Sequence, residues 1–146
     1  MKEVVITSLE PEHVHVVYDI SKDAFPLPWS KEDLIREIIN PMAINLVALI
    51  DHEVVGYLQC WFTPYDADLL NIAVKPEYKR QHIGKTLHLE LIAMLQEKCV
   101  QNLFLEVRVS NLPAQSLYHN LGFITLTKRE KYYINGEDAF IMNRQL

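Results

Sequence analysis

The sequence has little cysteine, no excess of basic charge and no long apolar run. Its two cysteines, Cys60 and Cys99, lie far apart and in no cluster with metal-ligand spacing, so both are expected to be reduced and buried. The net charge of −5 argues against general nucleic-acid binding, which needs a basic excess to neutralise phosphates. No apolar run approaches the roughly 20 residues that span a bilayer, and the first residues lack the apolar core of a signal peptide. We therefore expect a cytoplasmic protein that binds neither nucleic acid nor membranes.

The composition that remains is that of an ordinary globular domain. Of the 146 residues, 49% are hydrophobic and 23% are charged, which is enough apolar material to bury a core. The chain shows no internal repeat, no linker and no low-complexity segment. Residues 1–146 are therefore expected to form a single domain.

Apolar periodicity and turn signals predict a mixed sheet with helices on both of its faces. The predicted order of elements is βααββ(β)αβαββ, an α/β fold of the α+β mixed-sheet kind with a mostly antiparallel sheet. The predicted strands cover residues 4–9, 45–50, 54–62, 69–74, 103–109, 123–129 and 139–142. The predicted helices cover residues 11–25, 30–39, 87–95 and 114–121. Asn135-Gly136 also predicts a tight hairpin turn between residues 132–133 and 137–138.

The most informative segment is a basic loop between a predicted strand and a predicted helix. Four of the fourteen lysines and arginines fall between positions 75 and 85, namely Lys75, Lys79, Arg80 and Lys85. A helix N-terminus presents unpaired amide donors and partial positive charge, so added basic side chains make it suited to a pyrophosphate. A solvated basic loop is an equally good interpretation of this pattern alone.

The loop and its flanks resemble the acetyl-CoA motif of the GNAT superfamily, which runs Gln/Arg-x-x-Gly-x-Gly/Ala. The resemblance is carried by Ile72-Ala73-Val74, Pro76, Tyr78 and Arg80-Gln81-His82-Ile83-Gly84-Lys85. Lys79 stands where the family has Gln or Arg, and His82 stands at its first glycine, whereas Gly84 matches the second. If that position requires a positive φ, a histidine there carries strain on the order of 1 kcal/mol.

Segments from about residue 24 to 142 are similar to one branch of the superfamily, the bacterial ribosomal-protein alanine N-acetyltransferases of the RimI type. They are Ala24-Phe25, Pro28-Trp29-Ser30, Asn71-Ile72-Ala73-Val74, Leu105-Glu106-Val107-Arg108, Ser110-Asn111, Leu117-Tyr118, Leu121-Gly122-Phe123, Tyr132-Tyr133 and Glu137-Asp138-Ala139. The resemblance implies a GNAT-like fold and transfer of an acetyl group from acetyl-CoA to the free N-terminal amine of a protein. An alanine-starting ribosomal protein is the implied acceptor, and we expect a monomer or weak homodimer.

The resemblance also implies which residues contact acetyl-CoA, and it places backbone donors for the oxyanion around Ile72 to Val74. The implied contacts are Ile72, Ala73, Val74, Lys79, Arg80, Gln81, His82, Ile83, Gly84, Lys85 and Asn111. For Asn111, a helix cap ahead of Pro113 is an equally good interpretation. No metal is expected, because the histidines lack companions at ligand spacing.

Acetyl transfer from a thioester to an amine needs a base for the amine, donors for the oxyanion and an acid for the thiolate. The resemblance assigns the base to Glu106, acting through a water, and the acid to Tyr118, whose phenol is protonated at neutral pH. By pattern alone, Glu106 is a half-exposed glutamate paired with a basic neighbour, and Tyr118 is a core aromatic. Direct attack by the amine requires no covalent enzyme intermediate.

Two other functions are compatible with these residues. One is a GNAT enzyme that acetylates a small amine or a lysine side chain, and the other is a CoA-binding module without turnover. A cluster of tyrosines and acids at Tyr132, Tyr133, Glu137 and Asp138 either receives a cationic peptide N-terminus or forms a solvated hairpin.

Overall fold

Residues 2–146, the part of the chain that the computed structural model describes, form seven strands and four α-helices. The strands are β1 (Val5–Ser8), β2 (Ala43–Ile50), β3 (Glu53–Phe62), β4 (Asp66–Val74), β5 (Asn102–Arg108), β6 (Ile124–Arg129) and β7 (Ala139–Gln145). The helices are α1 (Val14–Ala24), α2 (Lys31–Ile38), α3 (Ile83–Glu97) and α4 (Leu112–Asn120), with short 3₁₀ turns at Pro11–His13 and Pro76–Tyr78. The predicted order of elements is confirmed.

All seven strands form one sheet in the order β1-β2-β3-β4-β5-β7-β6. Every neighbouring pair is antiparallel except β4 and β5, which run parallel. The mostly antiparallel mixed sheet predicted from the sequence is therefore confirmed. The parallel pair is short, because only Asp66–Asp68 pair with Asn102–Phe104. Beyond that point the two strands separate, and the sheet is split.

Helices cover both faces of the sheet, as predicted. On one face α1 and α2 bury Val17 and Leu34 against Tyr57 of β3. On the other face α3 buries Leu87, Leu91 and Leu95, whose spacing of four places them on one side of the helix. Because both faces are covered, β3 is buried continuously from Val54 to Cys60.

Local capping residues begin and end the helices near the predicted positions. The Ser30 hydroxyl accepts a hydrogen bond from the Asp33 amide at 3.1 Å and caps α2. Gly122 follows α4 with φ of +93°, a conformation that glycine adopts without strain. Helix α3 begins at Ile83, four residues before the first apolar residue of its predicted stripe. No helix within residues 2–146 has both the length and the apolarity to cross a membrane.

One sequence prediction is confirmed in part and one is wrong. The tight turn at Asn135-Gly136 is present, because the Gly136 amide donates to the Tyr133 carbonyl at 2.8 Å and the Tyr133 amide donates to the Glu137 carbonyl at 3.1 Å, but no strands flank it. Strands β6 and β7 pair directly instead, and residues 130–138 form the loop that joins them. The wrong prediction concerns Cys99, which is exposed and turns the chain after α3 in a left-handed conformation. Cys60 is buried as predicted, and burial raises the pKa of its thiol to about 12.

Candidate active site

The split between β4 and β5 opens onto a chain of three clefts. The central cleft, of about 440 Å³, is bordered by Asn71 and Ile72 on one side and by Glu106 and Tyr118 on the other. A second cleft of about 560 Å³ adjoins it beside the basic loop and is called the loop cleft below. A third of about 630 Å³, the tryptophan cleft, contains Glu106 together with the side chains of both tryptophans of the chain. Tyr118 borders the first two clefts, and Glu106 borders the first and the third.

The edge of β4 that faces the split presents free backbone donors. The Lys75 amide donates to the Val55 carbonyl on β3 at 2.8 Å. Amide direction alternates along an antiparallel strand, so the amides of Asn71 and Ala73 also point to β3. The amides of Ile72 and Val74 then point to the other side, where β5 has already diverged. These two donors lie where the sequence predicted an oxyanion site.

The basic loop turns into α3 through left-handed backbone. Arg80 has φ of 67° and His82 has φ of 60°, so the histidine occupies the glycine-favouring conformation that its place in the motif suggested. The His82 carbonyl accepts the Thr86 amide at 2.9 Å and the Thr86 hydroxyl at 2.8 Å, which begins α3. The preceding amides of the first turn have no intrahelical acceptor.

Most of the predicted acetyl-CoA contacts meet in one place. The loop cleft is lined by Ile72, Ala73, Val74, Lys79, Arg80, His82, Ile83, Gly84, Lys85 and Asn111. Gln81 does not border it, and Lys75 lies outside it with its ammonium 3.0 Å from Glu53. The lining combines amide donors, a helix N-terminus and basic side chains, which suits a ligand with several phosphates.

The Glu106 carboxylate is held by two neighbours from the β6–β7 region. The Tyr132 hydroxyl donates to Oε2 at 2.6 Å, and the Arg129 guanidinium lies 3.5 Å from Oε1. The hydrogen bond to Glu106, followed by burial, raises the pKa of Tyr132 to about 12. Tyr132 therefore remains a protonated donor, and Glu106 is fixed at the cleft with about a third of its side chain, 36%, exposed.

Tyr118 is both a core aromatic and a cleft residue. Its ring packs against His88 and Phe123 at centroid distances of 5.2 and 5.7 Å, and only 7% of the residue is exposed. Burial, with a smaller contribution from Tyr133, raises the pKa of Tyr118 to about 12. The phenol therefore keeps its proton at neutral pH and can donate it.

Asn111 caps α4, which is one of the two roles that the sequence left open, and it also borders two of the clefts. Its Oδ1 accepts a hydrogen bond from the Ala114 amide at 3.2 Å and caps α4. The same residue borders both the central cleft and the loop cleft.

The acidic residues of the β6–β7 loop hold the loop in place. The Glu137 carboxylate accepts from the Ser110 amide at 2.9 Å and from Arg108 at 3.2 Å, and the Ser110 bonds contribute most to its lowered pKa. Asp138 accepts from the Lys131 amide at 2.8 Å. The geometry favours an anchoring role for both acids over capture of a cationic peptide.

Sequence reasoning missed two features of the site. It assigned no role to Asn71 and did not foresee the bond from Tyr132 to Glu106. Neither has a local signal, because each depends on strand register or loop closure. Among residues 2–146, no group of three or more His, Cys, Asp or Glu side chains is arranged to hold a metal ion.

This arrangement is suited to moving a group from an anionic donor on one side of the sheet to an acceptor on the other. The chain belongs to the acetyltransferase (GNAT) family, whose model matches residues 14–123. The match includes the split, the basic loop and α4, so the fold and the family agree.

Relatives within the family share a common function in their names. The chain is 36% identical over 140 residues to the ribosomal protein bS18-alanine N-acetyltransferase of Escherichia coli K12, covering 94% of each chain. It is 41% identical over 139 residues to a Bacillus subtilis strain 168 protein provisionally named for the same activity, covering 94% of this chain and 92% of that one. The crystal structure of the ribosomal-protein-S18-alanine N-acetyltransferase from Escherichia coli superposes with a TM-score of 0.89, at 34% identity over 98% of this chain and 94% of that one.

Proposed function

We propose that the protein transfers the acetyl group of acetyl-CoA to the free N-terminal amine of a protein, in the way its named relatives act on the alanine of ribosomal protein bS18. The observation that supports this most directly is the placement of Glu106 and Tyr118. Both border the central cleft, and each extends into a different neighbouring cleft. A base and an acid therefore lie on either side of the point where donor and acceptor would meet.

The loop cleft is the proposed site of acetyl-CoA. The first-turn amides of α3, together with Lys79, Arg80 and Lys85, would bind the phosphates. The free amides of Ile72 and Val74 would bind the extended arm that carries the thioester, and would stabilise the oxyanion that develops on the acetyl carbonyl. We propose no metal in this reaction.

The reaction combines one acyl transfer with the loss of two protons from the nitrogen, one of which leaves through Glu106 to solvent, and the gain of one proton by the thiolate. An N-terminal ammonium has a pKa of about 7.7–8.0, so Glu106 can accept its proton through a water near neutral pH. The nitrogen then forms a bond to the acetyl carbon, and the carbon–sulfur bond breaks as the oxyanion collapses. Tyr118 gives its proton to the leaving thiolate, and the second proton lost by the nitrogen restores the phenol through solvent.

The tryptophan cleft is the proposed entrance for the acceptor peptide. It adjoins Glu106 and contributes exposed aromatic surface from Trp61. The protein is proposed to work in the cytoplasm, as a monomer or weak homodimer, without binding nucleic acid or membranes.

A small panel of amines tests the proposal. The panel contains an alanine-starting peptide, the same peptide with a blocked N-terminus and an internal lysine, and a simple small amine. We expect mass spectrometry to show acetylation of the free N-terminus only. Transfer to the lysine or only to the small amine would contradict the proposed acceptor. Binding of acetyl-CoA in a calorimeter, without release of CoA when any of the amines is added, would identify a non-catalytic binding module.

A further inference from the structure

Three amide side chains form a row across β2, β3 and β4. Asn45 lies directly opposite Gln59, and Gln59 lies directly opposite Asn71. Gln59 is 2% exposed and shares its face of β3 with Tyr57, under α1 and α2. Asn71, at the end of the row, borders the central cleft. The row connects the protein interior to the candidate active site.

The donors and acceptors of this row have a fixed order. At the end of the row away from the cleft, the Asn45 Nδ2 donates to the backbone carbonyl of Glu37 at 3.2 Å. This bond leaves the Asn45 Oδ1 as the remaining hydrogen-bonding atom of that amide. At the cleft end, the Asn71 Nδ2 donates to the Gln59 Oε1 at 3.1 Å, so Gln59 has its Nε2 left over. An Asn or Gln side chain has an NH₂ donor on one side and a carbonyl acceptor on the other. A hydrogen bond to one of these groups therefore fixes the direction in which the other group points.

Two buried atoms without partners agree with this order. The Asn45 Oδ1 and the Gln59 Nε2 have no hydrogen-bond partner among residues 2–146. They are an acceptor and a donor on directly opposite residues. The opposite orientation of Gln59 would turn its oxygen towards the Asn45 oxygen, which is unfavourable in a buried site. The Glu37 carbonyl orients Asn45, and the bond to the Gln59 Oε1 orients the Asn71 amide, although no hydrogen bond joins Asn45 to Gln59 within residues 2–146.

Given the acetyl transfer proposed above, we propose that the Asn71 Oδ1 accepts a hydrogen bond from the acceptor amine, and that Gln59 is the positioning residue that keeps this oxygen turned to the cleft. Asn71 and Glu106 border both the central and the tryptophan clefts. They lie on the two strands that diverge at the split and on the same face of the sheet. An amine in the split is therefore between them.

The chemistry of the amine fits such a pair. A neutral primary amine has two N–H donors and one lone pair, and only the lone pair attacks the carbonyl. With one N–H directed to the water on Glu106 and the other to Asn71, the lone pair remains free to face the thioester. An amide oxygen does not take up a proton near neutral pH, so Asn71 orients the amine without competing with Glu106 for its proton.

Two substitutions at Asn71 separate an acceptor role from a donor role. We expect Asn71→Ala to raise the KM of the acceptor roughly 5- to 10-fold, the size of one net hydrogen bond, with the KM of acetyl-CoA unchanged. Asn71→Asp loses the bond to Gln59 but has oxygens on both sides of its side chain, so one oxygen still faces the cleft and its acceptor KM should rise less than that of Asn71→Ala. Equal losses in both variants would overturn the proposal, as would an unchanged KM in Asn71→Ala.

Gln59→Leu tests the positioning role in a double-mutant cycle with Asn71→Ala. Alone it should raise the acceptor KM, because the Asn71 amide is released, and in the Asn71→Ala background it should add nothing. An additive effect would show that Gln59 acts on stability and not through Asn71. Asn102→Ala is the matched control, since it removes a comparable side-chain bond to Asp66, of 3.2 Å, outside the clefts.

The same comparison distinguishes failure of this proposal from failure of the proposed function. It uses whichever primary amine of the panel turns over, and its readout is the ratio of acceptor KM values. If a lysine or a small amine replaces the N-terminus as substrate, the proposed acceptor is wrong, but Asn71→Ala must still raise the KM of that amine. If no amine turns over, the Asn71 side-chain NMR signal must still shift when the alanine-starting peptide and CoA are added together. An unmoved signal then overturns the proposal.

Discussion

Tyr118 and His88 are neighbouring buried side chains whose burial has opposite effects on their pKa values. Burial raises the pKa of Tyr118 to about 12 and lowers the pKa of His88 to about 4. Both pKa shifts have the same cause, because burial disfavours the charged form of each side chain. At neutral pH the two rings, 5.2 Å apart, are therefore both uncharged. Tyr118 consequently borders the cleft with its proton in place, and its neighbour His88 carries no positive charge that would promote ionisation.

Replacing Tyr118 by phenylalanine tests the acid role. The change removes the hydroxyl and keeps the ring that packs on His88, so acetyl-CoA affinity should stay within about twofold of wild type. Turnover should fall by roughly 100-fold, because the thiolate loses its proton donor. Steady-state kinetics measure the turnover, and calorimetry measures the acetyl-CoA affinity. The control is Tyr65→Phe, at an exposed tyrosine outside the clefts. Normal turnover in Tyr118→Phe would remove this residue from the reaction.

His88 should make stability depend on pH. Its folded-state pKa of about 4 lies below the unfolded value of 6.5, so the unfolded chain binds the proton first as pH falls. The stabilisation is complete above pH 6.5 and is lost progressively between about 6.5 and 4. The loss amounts to about 3 kcal/mol.

Substitution of His88 gives the corresponding measurement. His88→Leu removes two buried ring nitrogens that have no partner within residues 2–146, so the free energy of unfolding should vary less with pH in that interval than it does in the wild type. Denaturant unfolding at several pH values measures it. The control is His15→Gln, at an exposed residue, which should retain the wild-type slope. A slope equal to that of wild type in His88→Leu would contradict the assignment.

At the scale of elements, the basic loop depends on a left-handed residue at its junction with α3. His82 has φ of 60°, where a glycine is free of strain and a β-branched residue is strongly disfavoured. His82→Val should lower stability by about 1–2 kcal/mol and weaken acetyl-CoA binding, because the first-turn amides move. His82→Gly should bind acetyl-CoA within about twofold of wild type. Calorimetry compares the two, and equal affinities would show that this backbone conformation does not matter for the ligand.

The elements themselves could largely be predicted from local signals, whereas their arrangement could not. Ser30 and Gly122 mark helix ends through bonds and dihedral angles that involve only nearby residues. The insertion of β7 between β5 and β6 is a long-range pairing, and no local pattern encodes it. For the same reason Glu106 could be proposed as a base from the resemblance, but its bond to Tyr132 could not. The exposure of Cys99 could not be predicted, because no local pattern marked the left-handed turn in which it lies.

At the scale of the molecule, the split sheet presents β4 as an internal edge. Only three residue pairs join β4 to β5, so the amides of Ile72 and Val74 lack a partner strand. Acetyl-CoA bound along this edge should slow hydrogen exchange at these two amides. The amides of Asn71 and Ala73 point to β3 and serve as internal controls, since they are bonded with or without ligand. NMR exchange measurements resolve the four positions.

An equal slowing of hydrogen exchange at all four amides would mean that the ligand stabilises the whole molecule and does not form hydrogen bonds with β4. The absence of any change would place acetyl-CoA elsewhere. Alternation in protection is therefore the signature expected of strand-like pairing between the protein and its donor substrate.

The tryptophan cleft has an optical consequence. The chain has two tryptophans, and Trp29 and Trp61 both line this cleft with ring centroids 5.7 Å apart. The Trp61 indole donates to the Glu37 carboxylate at 2.8 Å, which fixes its orientation. Tryptophan fluorescence, excited separately from that of the seven tyrosines, therefore originates beside the proposed acceptor entrance and not beside the loop. We therefore expect the arrival of an acceptor peptide to change the tryptophan emission more than the arrival of the coenzyme does.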